Sequence, residues 1–144
     1  MAARTANALW EGSLKEGRGQ MAVGSGAFEG SYSFQSRFGD DDTGTNPEEL
    51  VAAALSGCYS MQLAAVLGEA GTQSESVQST ANVTLRNVDG APTITKIALT
   101  TRAKVPGIEE AAFQEAVDQA KAACLIARAL AGVQEITVDA SLEN

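Results

Sequence analysis

The chain has 144 residues, a formal net charge of −8 and an isoelectric point near 4.4. Its length predicts one domain over residues 1–144 with a core of its own, and its acidity excludes a nucleic-acid backbone or an anionic membrane as the main partner. Histidine is absent, which excludes a Ser-His-Asp triad, a Cys-His pair and imidazole metal sites, and two cysteines are too few for a secreted disulfide framework.

The first third of the chain predicts a small sheet. Residues 6–38 are dense in glycine, serine and aromatic residues, and they predict three short strands with tight turns near 16–19 and 25–30. An acidic loop follows at 39–45. It lacks the spacing of a calcium-binding EF-hand and is interpreted as a solvated loop.

A long apolar helix is predicted to begin at Asn46. Asparagine is a preferred N-cap, and Glu49, three residues later, completes an approximate capping box. From 50 to 67 nearly every position is apolar or small, which predicts a helix buried on all sides. The run is long enough to span a membrane. However, its alanine, serine and glycine content and its acidic flanks, such as Glu69, favour the buried helix of a cytosolic protein.

The second half of the chain alternates between strands and one helix. Residues 77–86 and 93–104 predict a hairpin, and a helix follows from Glu109 to Gly132. Residues 134–141 alternate as a last strand. The order β-β-β-α-β-β-α-β indicates an α+β fold. The N-terminus carries no apolar signal segment, so a cytoplasmic protein is expected.

The two cysteines, Cys58 and Cys124, both fall on predicted core helices. Free cysteine is among the most buried residue types and packs as a small hydrophobe. The helical pattern alone therefore favours packing over chemistry for both. Two buried helices in a small domain are nevertheless expected to touch, so the two thiols can meet.

Glu48 is the acidic residue that the helix start does not require. Glu49 serves the cap, whereas Glu48 is either a helix-start acid that benefits from the helix dipole or a site residue. It precedes Cys58 by ten residues, which is about 15 Å along a helix axis. Glu48 is therefore expected to serve the thiol of a second copy, in a homodimer with antiparallel helices.

A reactive thiol needs a nearby cation, because a cation lowers the thiol pKa. The candidates are Arg37, beside the acidic loop, and Arg18, in the EGRG turn. The alternative for each is a solvated surface arginine. Arg102, at a strand end, and Arg128, on a helix flank, are weaker candidates.

Five segments of the sequence resemble one known family. The segment RFGDDDTGTNPEELVAAALSGCYSMQL (37–63) is similar to the signature of OsmC-like proteins, the osmotically inducible and organic-hydroperoxide-resistance family. The resemblance continues in order through four shorter segments: LGEAG (67–71), ITKIAL (94–99), VPGI (105–108) and AKAAC (120–124). It covers essentially the whole chain. The Arg-Phe pair that opens the first segment makes it closer to the OsmC branch than to the Ohr branch.

The resemblance implies antiparallel sheets wrapped around two central helices in an intertwined homodimer. It implies that Cys58 is the peroxide-attacking cysteine, that Cys124 is the resolving cysteine and that Glu48 pairs with an arginine of the site. The OsmC branch takes that arginine from the position of Arg37. The Ohr branch takes it from a glycine-rich turn, where this chain has Arg18.

The implied function is thiol-dependent reduction of organic hydroperoxides to alcohols in stress defence. A Cys58 sulfenic acid and a Cys58–Cys124 disulfide would form, an external lipoyl-type dithiol would reduce the disulfide, and no metal or flavin cofactor is required. Leu125 departs from the family pattern, since many relatives have proline there. The alternatives are a non-enzymatic dimeric stress or small-molecule-binding protein with structural cysteines and, less favoured without histidine, a thiol-dependent hydrolase.

Overall fold

The structure, a computed structural model, describes residues 3–40 and 43–143. The chain divides into two compact units, Met1–Leu50 and Val51–Asn144. Whether they act as the single domain expected over residues 1–144 stays a prediction. Part of the acidic loop, at Asp41 and Asp42, lies outside the described residues.

The first unit contains an antiparallel sheet of three short strands in the order β1-β2-β3. This confirms the prediction of three strands in this part of the chain. The strands are β1 Ala6–Glu11, β2 Arg18–Val23 and β3 Glu29–Tyr32.

A short helix, α1 (Phe34–Phe38), follows β3 and was not predicted. The aromatic segment around it was interpreted as the end of the third strand. Local hydrogen bonding accounts for the difference: Ser33 Oγ accepts from the Ser36 amide at 3.1 Å, and Ser36 Oγ accepts from the Ser33 amide at 2.8 Å. This reciprocal capping box begins a helix where the composition favours a strand.

The long helix α2 spans Pro47–Glu69 and begins where it was predicted. Asn46 Oδ1 accepts from the Glu49 amide at 2.8 Å, while the Glu49 carboxylate accepts from Thr45 Oγ1 at 3.0 Å. The expectation of a helix buried on all sides is wrong for the single chain. One stripe is buried, at Leu55, Tyr59, Leu63 and Leu67. The opposite face is exposed.

The second unit contains a sheet in the order β4-β5-β6. Strands β4 (Ser76–Val88) and β5 (Ala91–Lys104) form the predicted hairpin, with positive φ at Asp89 and Gly90 in the turn. The last strand, β6 (Glu135–Leu142), pairs with β5 in parallel, so this sheet is mixed where antiparallel sheets were expected. The helical crossover between β5 and β6 supplies the long connection that a parallel pair needs.

That crossover contains two helices where one was predicted. The first, α3, spans Glu110–Ala123, and the second, α4, spans Leu125–Ala129. Cys124 has an extended ψ of 115°, which ends α3, and it is also the N-cap residue of α4. Helix α4 thus begins at Leu125 without the proline of many relatives.

The core of the second unit lies between the sheet and its helices. The buried stripe of α2 and the buried residues of α3 pack with β5. The fully buried side chains include Leu63, Ile97, Phe113 and Ala120. Cys124 belongs to this core, and Cys58 packs against it.

Candidate active site

Arg37 and Glu48 form an ion pair in the first unit. Arg37 Nη2 donates to Glu48 Oε1 at 2.7 Å, and Arg37 Nε lies 3.1 and 3.2 Å from the two carboxylate oxygens. The Glu48 side chain is 12% exposed and that of Arg37 39% exposed. The guanidinium is therefore held in a two-pronged arrangement, which fixes its plane as well as its position.

Backbone and side-chain hydrogen bonds tie α1 to the start of α2. The buried Ser36 hydroxyl donates to the Thr45 carbonyl at 2.8 Å, and Asn46 Nδ2 donates to the Ser36 carbonyl at 3.1 Å. Arg37 follows Ser36, and Glu48 follows Asn46 by two residues. These bonds therefore set the spacing of the ion pair.

An aromatic ring beside Arg37 helps to hold its guanidinium in place. Its guanidinium carbon lies 5.0 Å from the centre of the Phe38 ring, within the range of a cation–π contact. The Phe34 and Phe38 rings are 5.2 Å apart. Sequence reasoning did not single out these rings, although the four-residue spacing of the two phenylalanines would place them on one helix face.

Arg18, the other candidate arginine, is located elsewhere in the first unit. It is the exposed first residue of β2 and lies opposite Glu11 in the strand register. The structure therefore brings Arg37 to Glu48 by hydrogen bonds and places Arg18 in the sheet. Which arginine acts at a thiol stays a prediction.

Cys58 and Cys124 lie in contact in the second unit. Their Sγ atoms are 3.5 Å apart, with Cys124 as the donor, and both thiols are free. Cys58, on α2, is half-buried, whereas Cys124, at the break between α3 and α4, is fully buried. A disulfide requires about 2.05 Å between the sulfurs, so a shift of roughly 1.5 Å would join them.

Burial keeps the Cys124 thiol protonated. It raises the pKa of Cys124 above its ordinary value, and the neighbouring Cys58 adds to the rise. The backbone amides of Ala127 and Ile126 act in the opposite direction without cancelling it. Cys124 therefore holds its proton at neutral pH and can donate it toward the Cys58 sulfur.

Tyr59 is a buried neighbour of the thiols that sequence reasoning missed. Its hydroxyl donates to the Val117 carbonyl at 3.4 Å and so connects α2 to α3. Burial first, then the charge of Asp118 and that of Cys124 once its thiol is ionised, raise the pKa of this phenol, which stays protonated at neutral pH. The tyrosine fixes the two helices that carry the thiols.

A metal site is not evident in the described parts of the chain. Within residues 3–40 and 43–143, no three Cys, Asp or Glu residues are grouped so that they could hold a metal ion. What the described residues offer chemically is a pair of thiols and, in the other unit, a carboxylate-bound guanidinium.

Comparison with known proteins identifies the family. The sequence profile of the family described as "OsmC-like protein" matches residues 39–139. "Peroxiredoxin OsmC" of Escherichia coli (strain K12) is 43% identical over 138 residues, which cover 95% of this chain and 94% of that protein.

Two solved structures show the same fold at low sequence identity. An OsmC-like protein of unknown function from Vibrio cholerae has a TM-score of 0.77 at 18% identity, over 98% of this chain and 100% of that one. An organic hydroperoxide resistance protein from Elizabethkingia anophelis has a TM-score of 0.72 at 23% identity, over 99% and 98%. With the family match and the close bacterial relative, they lead to one conclusion: the chain belongs to the family of OsmC-like proteins.

Proposed function

We propose that this chain is a thiol-dependent peroxidase that reduces organic hydroperoxides to alcohols. The observation that carries the proposal is the 3.5 Å contact between the Cys58 and Cys124 sulfurs. The relative that is 43% identical is named a peroxiredoxin, and the Elizabethkingia protein of the same fold is named for organic hydroperoxide resistance. These names support a peroxidase role and this substrate class.

The first step uses the Cys58 thiolate as nucleophile. It attacks the terminal oxygen of the hydroperoxide, the O–O bond breaks, and the leaving alkoxide takes a proton to become the alcohol. The sulfur is oxidised by two electrons to a sulfenic acid, and the peroxide is reduced by the same two electrons. Cys58 is assigned this role because it is the more exposed thiol.

The second step uses the Cys124 thiol. Its sulfur attacks the sulfenic sulfur, the S–S bond forms, and the hydroxyl leaves as water with the proton from Cys124. An external dithiol of the lipoyl type then supplies two electrons and two protons, which returns both thiols. The cycle needs neither a metal nor a flavin.

Arg37 and Glu48 are assigned to the positioning of thiolate and peroxide. The guanidinium stabilises the thiolate and the developing alkoxide charge, while Glu48 fixes its plane through the bonds described above. Arg37 is preferred to Arg18 because Arg37 makes these bonds. Since ten helical residues span about 15 Å, the pair is assigned to the thiol of a second copy of the chain.

The exposed face of α2 supports a homodimer. This face is uncharged and made largely of small residues, and Met61 on it is 77% exposed. A Cβ added at Gly57 or Gly68 would meet no atom within 4 Å. Because the side chains of this face are small, a second helix can approach closely. Covering the face would produce the helix buried on all sides that the sequence predicts.

The same helix, at 23 residues, is long and apolar enough to cross a membrane. Four of its residues instead pack into the core of the second unit, as in the core helix of an α+β protein. We therefore retain a cytoplasmic dimer as the proposal, with neither a membrane nor a nucleic acid as partner.

The proposal is tested by turnover. The parent protein is expected to consume cumene hydroperoxide with dihydrolipoamide as reductant, faster than it consumes hydrogen peroxide. Cys58→Ser is expected to lose this activity. Absence of turnover by the parent, or equal turnover by the variant, would favour a binding protein with structural cysteines.

A further inference from the structure

Three hydroxyl groups form a chain of hydrogen bonds between α2 and the sheet of the second unit. Ser60 Oγ donates to Ser79 Oγ at 2.9 Å. Ser79 Oγ lies 2.8 Å from Thr101 Oγ1, and either of these two hydroxyls can be the donor. We call the three residues the hydroxyl chain. None of them takes part in the two chemical steps described above.

The hydroxyl chain lies where the pattern of the sheet favours an apolar contact. The buried side chains on one face of β5 are Ile97, Leu99, Thr101 and Ala103, and the threonine is the polar member of this row. Ser79 is its direct partner across the strands, so the two side chains share that face. A fully buried hydroxyl costs free energy unless it is hydrogen-bonded. Thr101 therefore depends on Ser79, which in turn contacts the helix.

Helix α2 needs such directional contacts because its own surface supplies few of them. Residues 51–68 are uncharged and nearly all apolar or small. Apolar burial is not directional, so the buried stripe orients the helix without fixing it to a fraction of an ångström. Reactions between two groups are sensitive to this, since a displacement of about 1 Å can cost about 100-fold in rate. The contact between Cys58 and Cys124 therefore requires a more exact restraint on α2.

Three successive residues of α2 make contacts in three directions. The Cys58 sulfur meets that of Cys124. Tyr59 donates to a backbone carbonyl of α3 at 3.4 Å, and Ser60 donates to Ser79 at 2.9 Å. Successive helical residues point about 100° apart, so these contacts hold the helix from three sides. The tyrosine bond is long and the serine bond has an ordinary length, which makes the hydroxyl chain the stronger restraint beside the thiol.

We propose that the hydroxyl chain positions Cys58 for disulfide closure. It holds α2 where the Cys58 and Cys124 sulfurs touch, and it thereby shortens the lifetime of the Cys58 sulfenic acid. Its members are positioning residues, because they act through Cys58 and do not contact the peroxide. The sulfenic acid rests on the proposed function, whereas the placement of the two thiols does not, so the two are tested separately.

The speed of closure matters because a sulfenic acid has a second fate. A second hydroperoxide molecule can transfer an oxygen to the sulfenic sulfur: the O–O bond breaks, the alcohol leaves and a sulfinic acid forms. The sulfur is oxidised by two electrons, and the peroxide takes them up. A dithiol does not reverse this step. Fast closure by Cys124 therefore protects Cys58 from its own substrate.

The partition between the two fates is measured by intact mass. The reduced protein is treated with rising concentrations of cumene hydroperoxide; the disulfide removes two hydrogen atoms, and the sulfinic acid adds two oxygen atoms. Ser79→Ala removes both bonds of the chain, and the concentration that gives equal amounts of the two products is expected to fall about tenfold. Ser79→Thr keeps a hydroxyl and should recover most of the parent value. Thr101→Val, which loses one bond, is expected to lie between them and carries the test should Ser79→Ala fail to fold.

The matched control is a hydroxyl at the end of the same helix. Thr72 Oγ1 donates to the Leu67 carbonyl at 3.3 Å. Leu67 is nine residues beyond Cys58, which is roughly 14 Å along the axis. Thr72→Val is expected to keep the partition of the parent, because it loses a hydrogen bond of α2 without freeing the helix beside the thiol.

Equilibration with reduced and oxidised glutathione supplies a readout that needs no peroxide. The equilibrium constant for closing the Cys58–Cys124 disulfide is expected to be about tenfold lower in Ser79→Ala than in the parent, which raises the reduction potential by about 30 mV. Thr72→Val should match the parent. A parent that closes the disulfide in glutathione and consumes no hydroperoxide, with the same shift in Ser79→Ala, would support the hydroxyl chain and contradict the proposed function.

Three outcomes would overturn the inference. One is the same behaviour of Ser79→Ala and Thr72→Val in both measurements. Another is a higher closing constant in Ser79→Ala, which would show that the hydroxyl chain holds the sulfurs apart. The third is a parent that forms no disulfide in oxidised glutathione, because its thiols would then not be placed for closure.

Discussion

At the scale of single residues, the two thiols differ in their surroundings in a way that suits different tasks. Cys124 is fully buried in the core, and burial raises its pKa, whereas Cys58 is half-buried on a helix flank. A resolving thiol is useful when it keeps its proton until a sulfenic acid forms beside it, because the departing hydroxyl then leaves as water.

The raised pKa of Cys124 predicts that its thiol is alkylated slowly and at a rate that depends strongly on pH. In Cys58→Ser, where Cys124 is the remaining thiol, the rate of alkylation by iodoacetamide is expected to keep rising with pH beyond the ordinary cysteine value of 9.0. The folded state then binds more protons than the unfolded state above that value. The contribution of this thiol to the free energy of unfolding should therefore be constant below pH 9 and fall as the pH rises further.

The matched control for this prediction is the variant that carries both Cys58→Ser and Cys124→Ser. Because it has no Cys124 thiol, its free energy of unfolding is expected to fall less at alkaline pH. A midpoint of alkylation at or below the ordinary value would contradict the assigned environment.

The ion pair predicts different effects for two adjacent glutamates. Glu48→Gln removes the charge that holds Arg37, and kcat/KM for cumene hydroperoxide is expected to fall by about tenfold or more, since loss of alignment is costly for catalysis. Glu49→Gln is the control, because Glu49 accepts from Thr45 and not from the arginine. Equal losses in both would contradict the assigned role of Glu48.

The same assay decides whether Arg37 or Arg18 acts at the thiol. Arg37→Ala is expected to lose most of the activity, and Arg18→Ala to retain it. The reverse result would transfer the role to the glycine-rich turn.

At the scale of elements, sequence reasoning succeeded where a strong local rule acts and failed where two rules compete. The start of α2 was predicted because asparagine, proline and two acids follow one another at Asn46. Helix α1 was missed because its aromatic residues favour a strand, while the hydrogen bonds of Ser33 and Ser36 favour a helix. The break at Cys124 was missed because apolar residues continue on both sides of it.

Asn46 connects the two elements that carry the ion pair, so it should affect stability and activity together. Asn46→Ala removes the cap of α2 and the bond to the Ser36 carbonyl, and it is expected to lower the free energy of unfolding by about 1 kcal/mol. Asn46→Ser keeps a capping oxygen and should recover most of this stability in a chemical denaturation experiment. No difference between Ala and Ser at this position would contradict the capping role.

At the scale of the whole molecule, the exposed face of α2 is the feature that a single chain leaves unexplained. The sequence predicts a helix buried on all sides, and the chain buries one stripe of it. The ten-residue spacing between Glu48 and Cys58 pointed to a second copy, but an apolar pattern does not tell whether a helix is buried by its own chain or by another.

Met61, which is 77% exposed in the single chain, reports on the proposed dimer. Met61→Glu introduces a charge into the proposed helix contact, and it is expected to shift the protein from dimer to monomer in analytical ultracentrifugation and to reduce peroxidase activity. Met61→Leu keeps the apolar contact and should remain dimeric. A parent protein that is monomeric and fully active at working concentration would contradict both the dimer and the assignment of Glu48 to a partner thiol.

The disulfide mechanism is tested by the mass and free-thiol content of the reduced protein after one equivalent of cumene hydroperoxide. We expect the parent to lose both free thiols and two hydrogen atoms, as the Cys58–Cys124 disulfide forms. Cys124→Ser should gain one oxygen at Cys58, and Cys58→Ser should be unchanged. A parent that keeps both thiols while the hydroperoxide is consumed, or a Cys58→Ser variant that is oxidised at the parent's rate, would rule out this mechanism.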